Sequence, residues 1–96
     1  MQNMTGLPVI ELLAGLAEEC AELAQAALKL RRAYDKTNPT PVGEEDAYDD
    51  LLEEIADVEL YLDQISINRQ RIEEIKGVKA YRWLKRLGMS RNEKEN

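Results

Sequence analysis

Apolar residues recur every three or four positions in three successive segments of the chain, which is the period of an α-helix. The first predicted helix covers residues 8–34, a stretch rich in Leu, Ala, Glu and Lys with no proline in its interior. The second covers residues 44–67 and begins with acidic side chains, which suit the positive end of a helix. A third, weaker helix covers residues 70–87, contains Gly77 and ends at Gly88. We therefore predict an all-α fold.

The segments between these helices indicate how they are connected. Residues 35–43 (DKTNPTPVG) contain two prolines, an asparagine and a glycine, so we predict an extended loop there. This loop lets the two long helices pair as an antiparallel hairpin, to which the third helix is added. Residues 88–96 are polar, and we predict a frayed tail. With 96 residues in total, we expect a single domain over residues 1–96.

Two apolar stripes predict which helix sides pack together. In the first helix, the stripe consists of residues spaced alternately by three and four positions: Leu13, Leu16, Cys20, Leu23, Ala27, Leu30 and Tyr34. This stripe predicts that the only cysteine lies in the core. In the second helix the stripe consists of Leu51, Ile55, Val58, Leu62 and Ile65. A second apolar side of that helix carries Leu52, Ala56 and Leu60, which a lone hairpin cannot bury. We therefore predict that hairpins pair into a four-helix bundle within a homodimer or a dimer of dimers.

Composition excludes several classes of function. The chain has no histidine, which removes Ser-His-Asp and Cys-His catalysis and HExxH zinc sites. Its formal net charge of -6 argues against binding a nucleic acid polymer or an anionic membrane. No apolar run is long enough to span a bilayer, and a single cysteine cannot form an internal disulfide, so we expect a cytoplasmic protein.

Two pairs of acidic residues predict a metal site. Glu19 and Glu22 lie one turn apart on the first helix, and Glu54 and Asp57 lie one turn apart on the second. Viewed down each helix, the first acid of the pair lies roughly 60° from the centre of the apolar stripe and the second roughly 120–130° from it. The rotation has the same sense on both helices. Four adjacent carboxylates repel one another unless a hard divalent cation binds them, so Mg²⁺ is the first candidate and Mn²⁺ a substitute. Gly15, one turn before the first pair, would leave room between the helices. The alternative is that such pairs arise by chance on solvated faces, because 19 residues are acidic.

These motifs resemble those of the MazG-like, all-α nucleoside triphosphate pyrophosphohydrolases. That family carries EExxE on one helix and ExxD on the next, and this chain has Glu18-Glu19-Cys20-Ala21-Glu22 within LAEECAELAQA and Glu54-Ile55-Ala56-Asp57 within LEEIADVELYLDQ. The resemblance covers about residues 10–87. It implies Mg²⁺-dependent hydrolysis of a (d)NTP between the α and β phosphates, which gives (d)NMP and pyrophosphate. The 31 residues between Glu22 and Glu54 exceed the separation in most members, which leaves substrate specificity open.

The resemblance also implies roles for individual residues. Glu19, Glu22, Glu54 and Asp57 would be the catalytic metal ligands, with Glu18 as an acidic neighbour. Family members bind the phosphates through basic residues of a following helix, and Lys79 and Arg82 match best, ahead of Lys76 and Arg86. The alternative for this basic pair is a solvated face or pairing with acidic helices. The alternative for the whole chain is a non-catalytic helical interaction or nucleotide-binding module.

Overall fold

The computed structural model describes residues 4–38 and 42–88. Three helices are present: α1 (Val9–Asp35), α2 (Glu44–Gln64) and α3 (Arg69–Arg86). The described residues contain no strand, so the prediction of an all-α fold is confirmed. The chain divides into two compact units, Met1–Ser66 with α1 and α2, and Ile67–Asn96 with α3. The predicted frayed tail falls almost entirely outside the described residues.

The first helix begins directly after Pro8 and ends at the start of the predicted loop. Pro8 is the N-cap with an extended backbone, and its carbonyl oxygen accepts hydrogen bonds from the amides of Glu11 and Leu12. At the other end, Lys36 adopts the left-handed conformation with φ 64°, and the Thr37 amide donates to the Arg32 carbonyl at 3.0 Å. This closure uses carbonyls that the last turn of a helix otherwise leaves without partners.

The second helix is shorter than predicted, because it ends at Gln64 rather than at residue 67. The backbone becomes extended at Ile65, although apolar residues continue beyond it. Asn68 then caps α3 by accepting a hydrogen bond from the Arg71 amide at 2.9 Å. The apolar pattern therefore continues through a helix boundary. In α3, Gly77 does not interrupt the helix, and Gly88 follows it with φ 67°.

Helices α1 and α2 pack as an antiparallel hairpin within the first unit. Near the connecting loop, Lys36 Nζ lies 3.3 Å from Glu44 Oε1. Further from the loop along both helices, Lys29 Nζ lies 3.0 Å from Asp50 Oδ2. At the opposite end, Thr5 donates from Oγ1 to Oε1 of Gln64 at 3.1 Å. Early residues of the chain thus meet late residues of α2, as the hairpin prediction requires.

The buried side of α1 differs from the predicted stripe. Its buried residues are Leu12, Ala26, Leu30 and Ala33, so most core positions lie one residue before those predicted. Four members of the predicted stripe are exposed, and their assignment to the core was wrong: Leu13, Cys20, Ala27 and Tyr34. The other three face inward, because Leu16 and Leu23 are half-buried and Leu30 is buried. On α2, the predicted stripe is half-buried, while the core next to the loop is formed by Leu30, Ala33 and Ala47. The physical reason is that α1 has apolar residues on two sides, and close approach to α2 selects the side with glycine and alanine.

Large apolar side chains remain at the surface of this unit. Leu52 and Leu60 of α2 are each 45% exposed, and Leu13 and Leu28 of α1 are about half exposed. The second apolar side predicted for α2 therefore exists in the described chain. No helix among the described residues is both long enough and apolar enough to cross a membrane.

Candidate metal centre

The fold brings the four predicted acidic ligands together. Each of Glu19, Glu22, Glu54 and Asp57 offers one carboxylate oxygen, and these four oxygens lie within 4.8 Å of one another. Glu19, Glu54 and Asp57 are half-buried, whereas Glu22 is exposed. Two motifs that are far apart along the sequence therefore form one cluster between α1 and α2.

Antiparallel pairing explains why these side chains converge. Residues three apart on a helix share a side, so each motif presents two carboxylates towards the facing helix. The crossing next to the cluster is close, because Gly15 faces the ring of Tyr61, and a Cβ at position 15 would overlap that ring. Tyr61 thus fills the space that Gly15 was expected to leave for a ligand. The ring fixes the helix separation beside the cluster.

The electrostatics of the cluster are those of crowded carboxylates. The pKa of Glu19 is raised from 4.5 to about 7, chiefly by a side-chain hydrogen bond with Glu22, then by burial and by the charges of its acidic neighbours. Burial, followed by the charges of Glu22 and Asp57, raises the pKa of Glu54. Without a cation, protonation of Glu19 and Glu54 is therefore favoured, because burial and the nearby carboxylates disfavour their charged forms.

Two atoms of the cluster match what a bound cation requires. Oε2 of Glu19 and Oε2 of Glu54 are buried without a hydrogen-bond partner among the described residues. Buried polar atoms are normally satisfied, so these two oxygens require a partner such as a water molecule or a cation. Mg²⁺ binds oxygen at about 2.1 Å, which puts ligands on opposite sides of one ion roughly 4.2 Å apart. The spacing of the four oxygens is thus close to that scale, and the all-oxygen donor set fits Mg²⁺ or Mn²⁺.

A cleft of about 580 Å³ opens next to the cluster within the same unit. Glu22 and Glu54 line it and also belong to the cluster, while its far part is lined by Lys29, Arg32 and Asp50. This volume lies within the usual range for small-molecule sites, which is about 300–1,000 Å³. The sequence interpretation missed the two basic residues. A signal existed, because Lys29 follows Glu22 by seven residues and therefore lies on the same side of α1.

The predicted phosphate ligands Lys79 and Arg82 lie on α3, in the second unit. Both are exposed, as are the neighbouring aromatic residues Tyr81 and Trp83. Lys85 lies over the Tyr81 ring, with its Nζ 5.8 Å from the ring centre. Their role towards phosphate stays a prediction.

Comparison with protein-family models, with curated proteins and with solved structures gives no match to this chain.

Proposed function

We propose that this protein is a Mg²⁺-dependent nucleoside triphosphate pyrophosphohydrolase of the MazG-like type. The observation that carries the proposal is the meeting of the two acidic motifs, whose four carboxylate oxygens lie within 4.8 Å of one another. The two buried oxygens without partners add support, because a cation would satisfy both. The cleft beside them provides space for a substrate.

The proposed reaction separates the α from the β phosphate. A water molecule adds to the α-phosphorus, and the bond from that phosphorus to the bridging oxygen breaks. Pyrophosphate leaves with the bridging oxygen and the electron pair of that bond, and the water's proton passes to solvent. No histidine would be required as a base, because Mg²⁺ held by the four carboxylates would make the reacting water more acidic.

Each acidic residue has a definite task in this proposal. Glu19, Glu22, Glu54 and Asp57 would hold Mg²⁺, which neutralises phosphate charge and makes a bound water more acidic. Glu19 and Glu54, whose buried oxygens support this role, lie on different helices, so the proposed ion would link α1 with α2. Lys79 and Arg82 remain candidate substrate-binding residues on α3.

Incubation with a panel of nucleoside and deoxynucleoside triphosphates tests the proposed reaction. With Mg²⁺ present, we expect at least one nucleotide to yield its monophosphate and pyrophosphate, and EDTA to abolish the reaction. Separation of the products by anion-exchange chromatography measures both. Diphosphate plus phosphate would show cleavage of the wrong bond. Turnover of no nucleotide, together with no Mg²⁺-dependent thermal shift, would favour the non-catalytic interaction module instead.

We also propose that the protein forms a homodimer or a dimer of dimers in which hairpins pair as a four-helix bundle. The apolar side of α2 supports this proposal, because Leu52 and Leu60 are each 45% exposed and a monomer leaves them in water. The cytoplasmic location predicted from the sequence stays a prediction.

Substitution of the exposed leucines tests the association. We expect the double variant Leu52→Gln/Leu60→Gln to sediment as a monomer at micromolar concentration, while the unsubstituted protein sediments as a dimer or tetramer. The loss follows because burial of each leucine contributes about 1.5–3 kcal/mol. Glu11→Gln, an exposed polar change on α1 outside the apolar side of α2, is the control and should leave the association unchanged. A monomeric unsubstituted protein would contradict the proposal.

A further inference from the structure

The cleft beside the acidic cluster carries charges of both signs. Glu22 and Glu54 line its near part, where they belong to the cluster, and Lys29 and Arg32 line its far part on α1. Lys29 follows Glu22 by seven residues, which is about 10 Å along the helix axis. A ligand that spans the cleft would therefore meet a cation-binding end and a cationic end.

We propose that Lys29 and Arg32 bind the terminal phosphates of the nucleoside triphosphate, whose inner phosphates lie at the acidic cluster. This inference rests on the proposed function and assigns phosphate binding to α1 instead of α3. The leaving pyrophosphate contains those terminal phosphates, so the two basic side chains stabilise the charge that develops on the leaving group.

The present partners of these two side chains fit such a role. Lys29 Nζ pairs with Asp50 Oδ2 at 3.0 Å, and both side chains are nearly half exposed. A half-exposed salt bridge contributes little to stability, so a phosphate with greater charge displaces Asp50 readily. Arg32 donates from Nε to Oδ1 of Asn38 at 2.9 Å, a contact that fixes the direction of the guanidinium group. Among the described residues, no carboxylate forms a salt bridge with Arg32.

The salt bridge between Lys29 and Asp50 leads to opposite expected effects on anion affinity when each partner is replaced. If Asp50 occupies Lys29 only while the anion is absent, removal of the lysine and removal of the aspartate act in opposite directions. We expect Lys29→Gln and Arg32→Gln each to weaken binding at least tenfold, which is the loss of one charge-assisted hydrogen bond. We expect Asp50→Asn to strengthen binding, because Lys29 loses its competitor. A purely structural salt bridge would move both partners in the same direction.

Isothermal titration with inorganic pyrophosphate in the presence of Mg²⁺ measures these affinities. Arg31→Gln, an exposed neighbour outside the cleft lining, is the matched control and should leave the affinity unchanged. Lys29→Arg should restore binding, and melting curves of every variant verify that it is folded. Mn²⁺ affinity, measured separately without pyrophosphate, should be almost the same in Lys29→Gln as in the unsubstituted protein.

The outcomes separate this inference from the proposed function. The inference is overturned if the unsubstituted protein binds no pyrophosphate, if Lys29→Gln and Arg32→Gln bind it normally, or if Asp50→Asn weakens binding as much as Lys29→Gln. Loss in Lys79→Gln and Arg82→Gln with no loss in the α1 variants would place the phosphates on α3 and also overturn it. If no nucleotide is hydrolysed but the expected pyrophosphate pattern appears, the proposed reaction fails while the anion site on α1 stands.

Discussion

Replacing Glu54 by glutamine is expected to remove the proposed pyrophosphohydrolase activity and to make the metal-free protein more stable. Activity should fall by at least about 100-fold, since changes in mere neighbours of metal ligands already cost 10–100-fold. Stability should rise near neutral pH, because burial and nearby carboxylates raise the pKa of Glu54, and an amide carries no charge in that environment. A structural role for Glu54 predicts the opposite change in stability.

Two measurements on the same samples check this expectation. Product formation from the best nucleotide of the panel gives the loss of activity, and thermal melting in EDTA at pH 8 gives the change in stability. Glu59→Gln is the matched control, because it removes one exposed carboxylate from the same helix outside the cluster. Full activity in Glu54→Gln would remove this residue from the proposed site, and a lower melting temperature would show that its carboxylate stabilises the fold.

The sequence predicted the elements of the fold better than the side of each helix that packs. The start of α2 at Glu44 and the positive φ at Gly88 follow from local chemistry, which neighbouring residues determine. The buried side of α1 cannot be predicted from neighbouring residues, because both sides of that helix carry apolar residues. The contact of Gly15 with Tyr61 selects the side that faces α2, and this contact joins positions 46 residues apart. Periodicity within one helix contains no information about such a contact.

The acidic cluster was predictable for a different reason. Each motif fixes its own two carboxylates on one helix side, and antiparallel pairing then brings the motifs together. Most buried positions of α1 lie one residue before the predicted stripe. Glu19 therefore lies nearer to α2 than predicted, and it is half-buried in the cluster. The resemblance places the basic residues on α3, so it does not predict a role for Lys29 and Arg32 of α1. The cleft that connects them with Glu22 exists only once both helices are packed.

The raised pKa of Glu19 sets the sign of this residue's contribution to the pH dependence of stability in the metal-free protein. A carboxyl group whose pKa rises on folding binds more protons in the folded state than in the unfolded state. For Glu19 this difference applies between pH 4.5 and about pH 7. Its contribution to stability is therefore fully present below pH 4.5 and is lost as the pH rises through 7. Asp35 has the opposite sign, because hydrogen bonds from Thr37 lower its pKa from 3.8, so its contribution is lost only in acid. The two effects act in separate pH ranges.

Metal-free protein is accordingly expected to melt at a lower temperature at pH 8 than at pH 5, and Mg²⁺ is expected to reverse this order. Cation binding requires ionised carboxylates, so Mg²⁺ stabilises most where the metal-free cluster is least stable. At a concentration 100 times the dissociation constant, Mg²⁺ adds about 2.7 kcal/mol, which for a domain of this size raises the melting temperature by roughly 10 °C or more. Thermal melts at pH 5, 6, 7 and 8, with EDTA or Mg²⁺, measure both trends. Glu19→Gln should flatten the metal-free trend while Glu18→Gln, its exposed neighbour, should preserve it. A Mg²⁺ shift of the same size at every pH would mean that the ion binds outside the cluster.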